Sequence, residues 1–228
     1  MAAVARSGPI GHLAGSAGTR LPRTALDVQD ATVIANDTAG GLLLLSLGTG
    51  HPALERLGRL VLSNCESYDK FPPDALKKAS VLARKSPRLS RLPLRLQLRP
   101  SIARRKIVST VAASRPDHDR DESFFQPARD DTGVADDLIA AMAGFRPQLL
   151  IDAAQAIPHL DRPVLLILGD SCDFVPITDA QRLASKFPNA TLIPIPGAKT
   201  WTPIDNPAAV SDAISNSYRR RCHDDARA

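Results

Sequence analysis

The chain has 228 residues, 43% of them hydrophobic, with a net charge of +5, enough apolar material for one sizeable core, alone or with a subdomain. Aromatic residues make up only 4%, too few for a base-stacking surface, so the basic balance does not by itself indicate a nucleic-acid binder. The three cysteines, Cys65, Cys172 and Cys222, are far apart and form no C-x-x-C pair; this supports neither a disulfide framework nor a zinc site, and the default expectation is a reduced, cytoplasmic setting with no metal or other cofactor.

Residues 1–24 are rich in Gly, Ala, Ser and Arg. They are expected to be poorly ordered, and they lack the continuous apolar centre of a signal peptide. Thr24 to Asp30 is expected to end a helix. Ala31 to Asn36 is the first strand and Thr38 to Leu47 the helix after it, stopped by Gly48, Gly50 and Pro52. His51 is read as helix-end electrostatics. The apolar run Leu42 to Leu47 is far too short to span a bilayer.

The stretch 31–41, ATVIANDTAGG, organises the chain. A strand enters the tight turn Asn36-Asp37-Thr38 and leaves it through the small residues Ala39-Gly40-Gly41. Such a turn aims its central side chain out of the sheet edge, and the crowded backbone demands small neighbours. This is the geometry of a nucleophile elbow, with Asp37 where a serine would otherwise sit. An Asp at this place also suits a helix N-cap.

Leu57 to Ser63 is a second buried strand, and Asn64 to Pro73 the loop at its end. Helices are expected over 74–84, 132–145 and 147–157, with Ser114 to Asp121 a polar loop; its acids around His118 do not share the geometry of a metal cage. The segment 66–159 is therefore a helical insertion between two strands. Between Arg84 and Lys106 lie nine basic and no acidic residues. Arginines recurring every three or four positions suit one helical face, although Pro87 and Pro93 interrupt it. That face can be solvated over a leucine stripe, or meet an acidic partner or a membrane surface.

Val164 to Leu168 is a third strand, followed by the loop 169–176, GDSCDFVP. Ile177 to Phe187 is a helix, Ala190 to Ile195 a fourth strand, and 197–203, GAKTWTP, its end loop. A last helix runs from Pro207 to Arg219, and 221–228 is a frayed tail. Strands alternating with helices imply an α/β fold with a parallel sheet of about four strands.

The elbow, the strand and loop RLVLSNCESYDKFPP, and the segments DRPVLLILGD and PNATLIPIPGAKTWTPIDNP together resemble the α/β-hydrolase superfamily. The elbow is most similar to haloalkane dehalogenases and epoxide hydrolases. The resemblance implies a partial α/β-hydrolase fold: a core from 25–65 and 160–220, a helical cap from 66–159, and no counterpart of the family's first four strands in residues 1–30. It implies a hydrolase in which Asp37 attacks the carbon of a small, mostly apolar substrate, with the Thr38 N–H as an oxyanion donor and Asn36 and Trp201 beside the pocket.

The family's histidine base would fall at Thr200, whose hydroxyl cannot act as a base near neutral pH. The orienting acid would fall at Cys172, with Asp173 one residue on and Glu66, after the second strand, a second candidate. Asp173 also suits a solvated loop carboxylate, Trp201 plain packing, and the Cys172 thiol has no evident base. The alternative is a non-catalytic remnant that binds a ligand or partner. Its first strand would present an unpaired edge, open to a homodimer or another partner.

Overall fold

The computed structural model describes residues 28–49, 52–99, 101–114, 117–155, 157 and 160–224. The readings of residues 1–24 and of His51 lie outside them. Four strands, β1 (Ala31–Asn36), β2 (Leu57–Ser63), β3 (Val164–Gly169) and β4 (Ala190–Ile195), form one sheet in the order β1-β2-β3-β4. All three pairings are parallel, with Ile34 opposite Val61, Val61 opposite Leu165 and Leu165 opposite Thr191. Helix α1 (Thr38–Gly48) connects β1 to β2, and α8 (Ile177–Ala184) connects β3 to β4.

Among the described residues, six α-helices lie between β2 and β3. They are α2 (Asp74–Lys85), α3 (Pro87–Leu98), α4 (Ser101–Val111), α5 (His118–Asp130), α6 (Thr132–Gly144) and α7 (Pro147–Ala153). After β4 come the single turn α9 (Thr202–Asp205) and the closing helix α10 (Pro207–Asp224). No helix among the described residues is long and apolar enough to cross a membrane.

Both central strands are buried along almost their whole length, which is why β2 and β3 read as unbroken apolar runs. One face of the sheet buries Ala35, Leu60, Leu62, Val164 and Leu166 against Leu44 and Leu47 of α1 and Leu183 of α8. The other buries Val61, Leu165, Ile167 and Ile195 against Val210 and Ala213 of α10. β1 is at the edge, and on it Thr32 and Ile34 remain exposed, Ile34 at 57%.

Several expected boundaries change. Residues 28–30 are not helical; Asp30 turns the chain into β1 with φ 49°. The basic stretch 84–106 belongs to three helices, not one face: α2 stops after Lys85, Pro87 starts α3 and Ser101 starts α4. A proline suits the first turn, where its missing N–H has no intrahelical partner. Pro93 nevertheless sits inside α3, at an exposed position where tertiary packing does not forbid it. Residues 118–121 open α5 and are not loop. The expected helices at 132–145, 147–157 and 177–187 end earlier, while the last helix runs on past Arg219 to Asp224.

The helical segment is fastened to the C-terminal end of the sheet. The Asp205 carboxylate accepts the Ala113 and Ser114 N–H groups at 2.8 Å and the Lys199 N–H at 2.8 Å. The Trp201 N–H donates to the Val111 carbonyl at 2.7 Å, and Lys199 Nζ to the Ser109 carbonyl at 2.6 Å. The loop after β4 thus holds the end of α4 over the strand ends.

Candidate active site

Asp37 sits between β1 and α1 with φ 58° and ψ −136°. An L-residue adopts that conformation only at a cost of roughly 1–3 kcal/mol, so its surroundings must hold it. Its N–H donates to the Ser63 carbonyl at 3.0 Å, and its own carbonyl accepts the Gly40 N–H at 3.0 Å. Gly40 is required for a second reason: a Cβ there would lie 1.7 Å from Cys65 Sγ. The Asp37 side chain makes no capping hydrogen bond to α1.

Glu66 enters the same place from the segment after β2, and only 2% of it is exposed. Its Oε1 accepts the Thr38 hydroxyl at 3.3 Å, and its Oε2 is buried without a partner among the described residues. Burial first, and then the negative charge of Asp37, push its pKa up to about 8 against the smaller effect of the Thr38 hydrogen bond. Glu66 therefore holds its proton up to about pH 8. Burial also raises the Asp37 pKa, opposed in smaller measure by the polar N–H groups of Thr38 and of the Trp201 side chain. The Cys65 thiol, buried beside both, is pushed up by burial and by their charges and stays protonated.

A second polar cluster stitches the strand ends behind the pair. Asn64, at φ 43°, accepts the Gly169 N–H at 3.0 Å and donates to the Lys199 carbonyl at 3.0 Å and to Thr202 Oγ1 at 3.1 Å. The Ser63 and Thr202 hydroxyls bond each other. With its amide turned nitrogen inward, Asn36 donates to Ser63 Oγ at 2.9 Å and to the Thr200 carbonyl at 3.0 Å. At Gly169 a Cβ would lie 2.4 Å from the Ala198 carbonyl oxygen, so only glycine lets the loop after β4 approach β3.

The residues singled out from sequence therefore separate into groups. Asp37, Thr38, Glu66 and Trp201 come together, and the Trp201 ring packs against Phe124 of α5, tilted by 48° with the ring centres 4.7 Å apart. Asn36 joins Ser63 and Thr200 in the second cluster. Thr200 is 1% exposed, with its hydroxyl 3.2 Å from Cys172 Sγ, so the two pack together behind the pair. Asp173 is exposed on the loop after β3. Sequence reasoning missed Asn64 and Asp205. An Asn directly after a buried strand was a signal for the first, since Asn tolerates positive φ; nothing local marked the second. No group of three or more His, Cys, Asp or Glu among the described residues could hold a metal ion.

No protein-family profile matches the chain, and no curated protein matches it in sequence. Solved structures do match in three dimensions. An α/β hydrolase fold protein from Burkholderia ambifaria superposes with a TM-score of 0.70 at 18% identity, over 90% of this chain and 72% of that one. A haloalkane dehalogenase from Bradyrhizobium elkani gives 0.68 at 13% identity, over 86% and 69%. A thermophilic esterase from Thermogutta terrifontis gives 0.60 at 16% identity, over 95% and 74%. The chain has a partial α/β-hydrolase fold.

Proposed function

We propose that the chain is a hydrolase that forms an ester between Asp37 and a small, mostly apolar substrate, with Glu66 handling the protons. The Asp37–Glu66 pair at the strained turn carries this reading, because burial raises the proton affinity of both carboxyls and the charge of Asp37 raises that of Glu66 further. The Asp37 carboxylate attacks a carbon bearing an oxygen leaving group, such as an epoxide carbon, and forms a C–O bond; the bond from that carbon to the leaving oxygen breaks and the oxygen takes the proton of Glu66. Water then adds to the ester carbonyl. One of its protons goes to the departing alcohol and the other returns to Glu66, restoring both carboxyls. The Thr38 N–H and the Trp201 side chain, which already face the Asp37 carboxyl, would stabilise the oxyanion on it. Glu66 thereby takes over what a histidine at position 200 would do, and the helices 74–153 act as a cap that excludes water.

The test is turnover of epoxides, haloalkanes and activated esters against an Asp37→Ala control, with intact-mass detection of the ester. Turnover absent in the control, and an adduct accumulating in Glu66→Gln, are expected. Equal rates in wild type and D37A would dispose of the claim. A second reading, a non-catalytic binding protein, is favoured by Thr200 at the expected base position and by the exposed β1 edge, where a second copy or another partner would add strands. Its support would be no turnover of any substrate class together with self-association that edge substitutions abolish.

A further inference from the structure

Helix α3 packs inward through Ser90, Leu94 and Leu98. At 3.6 residues per turn the face opposite carries Leu89, Leu92 and Leu96. They are 66%, 64% and 59% exposed, where a surface helix ordinarily carries charge. Arg88, Arg95 and Arg99 run along one flank of this ridge. All three are exposed, and none of their guanidinium groups has a partner among the described residues. Arg91 and Arg104 in the same basic stretch are tied to Asp136 and Glu122, which leaves the flank beside the ridge free to meet an outside anion.

An apolar ridge beside a cationic flank matches the boundary of a bilayer, where acyl chains take the leucines and anionic headgroups the arginines, whose long stems let the charge stay at headgroup level. The ridge is convex and about two turns long. It buries too little for a stable protein–protein interface, which needs on the order of 1,000 Å². We infer that α3 docks this chain peripherally on an anionic lipid surface, with Leu89, Leu92 and Leu96 in the acyl boundary and Arg88, Arg95 and Arg99 among the headgroups. The docking surface does not depend on the Asp37 chemistry.

Flotation of the full chain with vesicles of phosphatidylcholine alone, or with 30% phosphatidylglycerol, tests it. Flotation is expected with the anionic vesicles and much less with the neutral ones, and added salt should weaken it. At about fivefold per arginine near an anionic surface, Arg88→Gln/Arg95→Gln/Arg99→Gln should lower partition by about a hundredfold. Leu89→Ser/Leu92→Ser/Leu96→Ser should lower it at least about tenfold. Both variants should keep the wild-type melt, since the altered side chains face outward. No flotation on anionic vesicles, or equal flotation of wild type and leucine variant, would overturn the inference. So would a wild-type dimer that the leucine variant converts to monomer without any vesicle binding.

Discussion

Asp37 holds a backbone conformation that glycine tolerates and aspartate does not. Asp37→Gly should therefore raise stability by about 1 kcal/mol in denaturant titration while abolishing turnover. Glu66 makes a pH prediction. Its folded pKa, about 8, lies above its unfolded value of 4.5, so the folded state binds the extra proton between the two. Its contribution is fully present below about pH 4.5 and is lost as pH rises through 8. The unfolding free energy should fall across that window by a few kcal/mol, and Glu66→Gln should flatten the fall. Asp37, also raised, acts in the same direction at the acid end. A wild-type profile as flat as that of the variant would contradict the burial of a protonated Glu66.

One carboxylate takes the largest share of the hydrogen bonds that attach the end of α4 to the sheet. Asp205 gathers N–H groups from Ala113, Ser114 and Lys199, and although burial raises its pKa, these hydrogen bonds outweigh it and hold it low. Asp205→Ala leaves those donors without their acceptor and should cost roughly 2–3 kcal/mol. Hydrogen exchange should show faster opening at the C-terminal end of α4 than in the β2–β3 core, because the loss is local. Uniform loss of protection would mean that the helices and the sheet unfold as one unit.

The four-stranded sheet ends at β1, whose outer edge has no neighbouring strand among the described residues, with Ile34 exposed beside it. Such an edge is a template for pairing with another chain. Ile34→Lys should change monomer stability by less than about 0.5 kcal/mol and slow aggregation on heating, followed by light scattering. If it leaves aggregation unchanged, association runs through another surface.

All four strands were legible in the sequence to within a residue: β2 and β3, covered on both faces, had to be apolar throughout, β1 and β4 carry β-branched residues, and the turns around them hold Gly, Pro and Asn. The strand–turn–helix geometry at 31–41 was legible from its local pattern, a short apolar strand, a polar turn and small residues, among which Gly40 has no room for a Cβ. The division of 84–106 into three helices was not, since Pro93 is tolerated inside α3 by its exposed position, which no local pattern encodes. Only the tertiary structure decided that Glu66 lies against Thr38 and Asp37, that Thr200 packs on Cys172, and that Asp205 fastens α4. Each joins residues from separate strand ends, and a carboxyl acquires its proton affinity from what surrounds it in space, not from its neighbours along the chain.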